Sequence, residues 1–283
     1  MYDFHMHSKY SDGAYDINEL LEKVVQNNVK YFSLTDHDTI TGSKEILTKY
    51  QNFLTKNKIK FIIGAELSTS MDGFKTHLLA YGFDYENKNM ITLLKMLKAN
   101  KWNESLYRIQ KLKEIFNISL SNESIEYLKG RDSVTKPNIA ECMKNEGFVT
   151  SKGEAIKEYI NKIPKENFYL DSKTAINLVH AAKGKVFLAH PFGESSDEIF
   201  NISTIEPYIY SLVKLGIDGM ECYYSAYDNK KIRFLLNLAK KYNLLISAGS
   251  DCHGNPNKYG TIGQTSLDHT PIDSSQLSIL SIF

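Results

Sequence analysis

Phe4-His5-Met6-His7, followed by Ser11-Asp12-Gly13, is the stretch from which the rest of the chain can be read. The residues before it, Tyr2 to His5, read as a short strand, and side chains on a strand alternate between its two faces. His5 and His7 therefore share one face, where both imidazoles can reach one metal ion. Asp12 adds a carboxylate from the loop behind them. The pattern recurs. Leu34-Thr35-Asp36-His37-Asp38 ends a strand at Tyr31 to Leu34. Ser250-Asp251-Cys252-His253-Gly254 follows one at Leu244 to Ala248 and sets Asp251 and His253 on one face, with Cys252 turned to the other.

Working outward, further strands are expected at Phe61 to Ile63, which leads to Gly64-Ala65-Glu66, and at Thr76 to Phe83, with His77 near its start. Two more lie at Val186 to Ala189, which leads to His190-Pro191, and at Met220 to Tyr223. Helical spacing fits Ile17 to Gln26 behind an Asp16 cap, Ser43 to Asn57, Lys173 to Ala182, Ile205 to Leu215 and Asn229 to Tyr242. About seven strands alternating with helices imply parallel strands and an α/β layout. In α/β barrels the reactive side chains project from the C-terminal ends of strands, which is where these His, Asp and Glu residues fall. From about Asn87 to Asp171 the strand signal stops. Met90 to Phe116, Asn122 to Leu128, Lys136 to Asn145 and Lys152 to Asn161 are read there as helices. The expected organisation is a barrel domain from residues 1–86 and 172–283, with a helical insertion, residues 87–171, covering the active site.

The bulk composition sets bounds. The chain has 283 residues, 42% of them hydrophobic, and a net charge of +1, so no global field favours nucleic acid or a membrane surface. Cys142, Cys222 and Cys252 are too few and too scattered for a disulfide framework. No apolar run approaches the roughly 20 residues of a membrane span, and the N-terminus is already strand-like, so no signal peptide is read there. A cytoplasmic setting is the expectation, with no membrane and no obligate protein partner.

His5, His7, Asp12, His37, Glu66, His77, His190, Asp251 and His253 make nine candidate metal ligands. That is more than a site with three or four protein ligands needs. It suits two or three ions, the arrangement that clamps the attacking and leaving oxygens in phosphoryl hydrolysis. Imidazole and carboxylate donors without thiolate fit Mn, Fe or Zn. Asp36 and Asp38 flank His37 and are candidates to orient its imidazole, since a ligand histidine usually donates its other N–H to an acceptor.

The chain resembles the PHP family (polymerase and histidinol phosphatase domain). The resemblance rests on Asp3-Phe4-His5-Met6-His7-Ser8, Ser11-Asp12-Gly13, Leu34-Thr35-Asp36-His37-Asp38-Thr39, Gly64-Ala65-Glu66, His77-Leu78-Leu79, Ala189-His190-Pro191 and Gly249-Ser250-Asp251-Cys252-His253-Gly254, all in the family's order. It implies a distorted seven-stranded (β/α) barrel that hydrolyses phosphoesters with metal-activated water. Position by position, it implies that His5, His7, Glu66 and Asp251 hold one ion. Asp12, His37 and His253 hold a second and serve catalysis, and Glu66 bridges to a third with His77 and His190.

Within the insertion, Ser133-Val134-Thr135-Lys136-Pro137-Asn138-Ile139-Ala140 resembles a branch of nucleoside 3′,5′-bisphosphate phosphatases and 5′→3′ exoribonucleases. This makes Thr135 and Lys136 the candidate substrate contacts. That branch carries Arg-Pro-His where this chain has Lys136-Pro137-Asn138, and a lysine meets phosphate as a point charge and not as a fork. An Arg pair on the first inserted helix does not align clearly with Asn100-Lys101-Trp102-Asn103-Glu104, and Phe192-Gly193-Glu194 stands where an Arg can follow the His-Pro pair. The leading expectation is a phosphatase of a small phosphorylated metabolite, a nucleotide or nucleoside 3′,5′-bisphosphate. An exonuclease on short RNA or DNA oligonucleotides and a histidinol-phosphate phosphatase are the alternatives. A non-catalytic role like that of PHP domains in DNA polymerases stands apart from these. Tyr223, Tyr224 and Tyr227 are read either as base-stacking residues or as packing, and Trp102 as pocket lining or packing.

Overall fold

The computed structural model describes residues 1–193, 200–254 and 260–283. Glu194, noted above, lies outside them. Strand β1 is Tyr2–Asp3, and helix α1, Ile17–Gln26, follows. Asp16 caps α1 by accepting from the Glu19 amide while Glu19 reaches back to the Asp16 amide, a reciprocal capping box. Ile17, Leu20, Leu21 and Val24 recur at helical spacing and are its buried side. After β2, Tyr31–Leu34, the expected single helix is two: α2, Thr41–Lys49, and α3, Gln51–Asn57. At Tyr50 the backbone leaves helical values. Buried Ile46 of α2 and Leu54 of α3 both pack into the core beside α1.

Strand β3 is Lys60–Met71 and β4 is Phe74–Tyr81, and here the all-parallel expectation is corrected. The two pair antiparallel, Met71 opposite Phe74, around a two-residue turn. Asp72 (φ 49°) and Gly73 (φ 81°) are both left-handed, as a tight hairpin turn with the twist of its strands requires. Because β4 runs backwards, the start of β4, and not its end, lies at the mouth, which brings His77 opposite Ser68 on β3.

Helices α4, Lys88–Phe116, α5, Asn122–Lys129, α6, Lys136–Asn145, and the three-residue α7, Lys152–Glu154, come next. The last expected helix of this region continues past α7 as a π-turn over Ala155–Tyr159 and a 3-10 turn over Ile160–Lys162. Met90, Leu93 and Leu97 of α4 join the barrel core, whereas Leu112, Leu128, Ile139 and Met143 form a separate apolar cluster. Strand β5, Leu170–Asp171, pairs alongside β3, and α8 is Ser172–Ala181. The remainder alternates as β6 (Lys185–Leu188), α9 (Ile205–Leu215), β7 (Gly219–Tyr224), α10 (Asn229–Tyr242) and β8 (Leu245–Gly249).

The sheet order is β1-β2-β3-β4-β6-β7-β8. The Phe4 amide donates to the Ala248 carbonyl (2.9 Å), Asp251 N to His5 O (2.8 Å) and His7 N to Cys252 O (3.0 Å), so the chain beyond β8 meets the chain beyond β1 and nearly closes a distorted barrel. Phe4, Leu79, Phe187 and Met220 fill the core, each buried side chain contributing about 1.5–3 kcal/mol. Among the described residues no helix is long and apolar enough to cross a membrane.

Candidate metal centre

The barrel mouth gathers buried polar side chains around Glu66. Its Oε2 lies 3.2 Å from His5 Nε2, His7 Nε2 and His37 Nδ1, while its Oε1 lies 2.8 Å from His77 Nδ1 and 3.1 Å from His190 Nε2. Asp251 Oδ1 is 3.1 Å from His7 Nε2 and 3.4 Å from His5 Nε2. Asp12 Oδ1 is 3.3 Å from His253 Nε2, and Asp12 Oδ2 is 3.9 Å from His37 Nε2. All nine candidate ligands read from the sequence are therefore in one cluster. Ligand atoms within 4.8 Å of one another form three groups: His5, His7, Glu66 and Asp251; His7, Asp12, His37 and His253; and His37, Glu66 and His77. The first group has the four members expected. The second gains His7. The third holds His37, with His190 beside it against Glu66.

These side chains reach the mouth through local backbone choices. His190 (φ 24°) and Asp251 (φ 54°) are non-glycine residues in the left-handed region, a costly conformation that persists where the surroundings impose it. The His190 amide donates to Glu221 Oε2 (2.8 Å) and the Asp251 amide to the His5 carbonyl. Gly249 has no alternative: a Cβ there would meet the His5 Cβ at 2.2 Å and Glu221 Oε1 at 2.3 Å.

An outer ring fixes the ligand atoms. Glu221 faces His5 Nδ1 at 3.1 Å, and the Tyr224 hydroxyl donates to Asp251 Oδ2 (2.8 Å). Asp36 accepts from the Ser8 amide and hydroxyl and from the Ser11 hydroxyl, so it braces the chain between His7 and Asp12 and does not orient His37 as expected. Asp38 accepts from the Ser68 amide and lies 3.5 Å from Lys101 Nζ. Sequence reasoning missed Glu221, against His5, and Lys101, against Asp38, and also Arg131, which donates to the Ser11 carbonyl before Asp12. Glu221 had a signal, an acid inside the apolar run Met220 to Tyr223; the other two have no pattern of their own. Cys252 packs with Met6 and α1 behind the mouth. Thr135 donates through its amide and hydroxyl to Asn138 Oδ1, and Lys136 Nζ donates to Asn161 Oδ1 at 2.8 Å.

The donor set fits divalent ions. Although His7 Nε2, His37 Nδ1 and Asp12 Oδ1 lie close to oppositely charged groups, these atoms and His7 Nδ1 are buried and form no hydrogen bond of good geometry among the described residues, and each such group ordinarily costs about 1–3 kcal/mol. Burial lowers His7, but the Asp251 and Glu66 carboxylates beside it outweigh that and raise it to about 10. Burial dominates at His37 and pushes it down to about 3, the neutral state in which an imidazole binds metal. Burial would raise Glu66, yet the surrounding histidines hold it well below the usual carboxylate range. No lysine or arginine pairs with it among the described residues, so its countercharge comes only from groups that metal ligation would deprotonate.

The comparisons agree with this geometry. A 5′-3′ exoribonuclease of Haemophilus influenzae is 30% identical over 260 residues, covering 89% of this chain and 89% of the relative. A phosphoribosyl 1,2-cyclic phosphate 1,2-diphosphodiesterase of Eggerthella lenta is 23% identical, covering 92% and 95%. The solved structure of a metal-dependent phosphoesterase from Bifidobacterium adolescentis has the same fold, with a TM-score of 0.76 at 21% identity over 95% of this chain and 93% of that one. Residues 3–175 match the PHP domain. The chain belongs to the PHP domain family and is a metal-dependent hydrolase of phosphoester bonds.

Proposed function

We propose that the chain hydrolyses a phosphate ester of a nucleotide or nucleoside 3′,5′-bisphosphate, with two or three divalent ions (Mn, Fe or Zn) held by His5, His7, Asp12, His37, Glu66, His77, His190, Asp251 and His253. The observation that supports it is the division of five histidines between the two oxygens of Glu66, three on one and two on the other. A carboxylate presented that way can bridge two ions. When bound, such ions neutralise phosphate oxygens and acidify water. The protein's part is to hold the imidazoles and ionised carboxylates in place, with Glu221 and Tyr224 fixing His5 and Asp251. Asp12, His37 and His253 form the rim on which the reacting phosphate is oriented. Thr135 and Lys136 stand in the insertion, residues 87–171, which we take as the unit that covers the site and contacts substrate.

A second reading, a 5′→3′ exonuclease on short oligonucleotides, is favoured by the relative from H. influenzae, which matches over most of both chains. A nucleoside 3′,5′-bisphosphate and a 5′-phosphorylated dinucleotide both present a phosphate on O3′ of a 5′-phosphorylated nucleoside. They differ in whether that phosphate carries a second nucleoside. The test is product release from metal-stripped protein resupplied with Mn, on 3′,5′-bisphosphoadenosine, AMP, histidinol phosphate and a 5′-phosphorylated dinucleotide. Phosphate from the bisphosphate is the expected result, and mononucleotide from the dinucleotide would select the second reading. Inactivity on all four would reject both. His7→Ala and Asp251→Ala are expected to abolish turnover with the far-UV circular dichroism unchanged.

A further inference from the structure

We propose that Arg131 is a positioning residue that ties the insertion to the Asp12 loop and so sets the affinity of the ion held by Asp12, His37 and His253. The inference rests on the reading of Asp12 as a ligand. Arg131 follows α5 in the insertion, far from Asp12 in sequence. Its Nη2 donates to the Ser11 carbonyl (2.8 Å) and to the Lys9 carbonyl (2.9 Å), and its Nη1 donates to the Tyr127 hydroxyl (3.0 Å). The Tyr127 ring lies 5.8 Å from the guanidinium carbon. Asn138 Nδ2, at the start of α6, reaches the same Ser11 carbonyl at 3.4 Å. That carbonyl belongs to the peptide joining Ser11 to Asp12, so the insertion grips the backbone directly before the candidate ligand.

The loop is held from both sides: Asp36 accepts from Ser8 and from the Ser11 hydroxyl on the barrel side, and Arg131 holds the Ser11 carbonyl on the other. The amides of Ser11 and Gly13 both donate to the Ser8 carbonyl, which curls the segment tightly. At Gly13 a Cβ would meet the His7 carbonyl oxygen at 2.3 Å, so the turn lies directly against the strand end. Among the described residues the Asp12 carboxylate has only imidazoles beside it, His253 at 3.3 Å and His7 and His37 at 3.9 Å. Its position is therefore set by the backbone that carries it. The ligands of the other ion are fixed from within the barrel: His5 by Glu221 and Asp251 by Tyr224. The insertion's grip thus falls on the segment that carries Asp12, whereas His5 and Asp251 are held by barrel residues. A planar guanidinium can serve two carbonyls and a phenol at once, whereas a lysine keeps the charge and loses the fork.

The experiment is a calorimetric Mn titration of the metal-stripped full chain, in wild type, Asp12→Asn, Arg131→Met and Arg131→Lys, with thermal unfolding of each recorded. Asp12→Asn removes one binding phase. Arg131→Met weakens that same phase about 10-fold, at the lower end of what outer partners of a metal contribute, and leaves the other phase unchanged. Arg131→Lys recovers part of the loss. If Asp12→Asn removes a phase that Arg131→Met leaves intact, Arg131 has no such role and the metal reading stands. If Asp12→Asn alters nothing, the reading of Asp12 is wrong and the inference fails with it. Equal weakening of both phases in Arg131→Met, in step with lower thermal stability, would also overturn it, because a loosened fold would then be the cause.

Discussion

Glu66 and Glu104 are both buried acids with shortened distances to nitrogen, yet they are surrounded in opposite ways. Glu104, on α4, meets Arg108 at 2.7 Å, Lys101 at 3.7 Å and the Tyr169 hydroxyl at 2.9 Å. Permanent cations and a phenol satisfy it, and the assembly is complete as it stands. Glu66 meets five imidazoles and no permanent cation among the described residues. Its neutralisation depends on protons that ligation would release, or on metal. The difference teaches how to tell a structural charge cluster from a reactive one: the first uses side chains that cannot change charge near neutral pH, the second uses side chains that can. The two are neighbours, because Lys101 also lies 3.5 Å from Asp38, which follows His37.

The comparison breaks most sharply at Glu66 itself. Glu66→Gln keeps the shape and removes the bridging charge. Steady-state hydrolysis should fall by more than the about 100-fold that loss of a metal's outer partner can cause, with a circular dichroism spectrum like that of wild type; turnover near normal would end the contrast. Glu221→Gln tests the ring outside it. By weakening the hold on His5 Nδ1 it should cost about 10–100-fold in Mn affinity, read by competition with a chelator. Glu104→Gln should leave turnover per folded molecule unchanged and lower unfolding stability by about 3–5 kcal/mol, since it leaves buried Lys101 and Arg108 without their acid. Denaturant unfolding checks this.

The smallest effect is a pH dependence. Burial would raise Glu104, but Lys101 and Arg108 outweigh it and hold the carboxyl at about 2, against an ordinary value of 4.5. A carboxyl depressed on folding contributes stability in full above its unfolded value and loses it as pH falls through the folded one. Wild type should therefore lose stability between about pH 4.5 and 2 by an amount that Glu104→Gln does not lose. Identical acid profiles in the two proteins would show that the ion cluster contributes nothing.

The α/β barrel class was legible in the sequence, and so was the gathering of the nine candidate ligands; the direction of one strand was not. Period-two alternation suggested pairing His5 with His7 and Asp251 with His253, but these residues lie just beyond β1 and β8, and the left-handed backbone at Asp251 helps to place its carboxylate. The antiparallel β3–β4 pair does carry a local signal, Asp72-Gly73 between Met71 and Phe74, a dipeptide suited to a tight hairpin. The break at Tyr50 had no sequence signal, since nothing near it forbids a helix. Lys101 and Arg131 were not legible because their roles arise from contacts across the interface of barrel and insertion, and no local pattern encodes a long-range partner. Asn138 is instructive in the same way. It departs from the expected histidine, and the structure uses it both to cap α6 and to reach the Ser11 carbonyl.

The most direct test of a carboxylate-bridged centre is electron paramagnetic resonance of the metal-stripped chain reloaded with excess Mn and freed of unbound metal. Ions bridged by Glu66 would sit about 3.5–4 Å apart and give an exchange-coupled spectrum that vanishes in Glu66→Gln. Only the six-line signal of isolated Mn, unchanged by that substitution, would contradict the account.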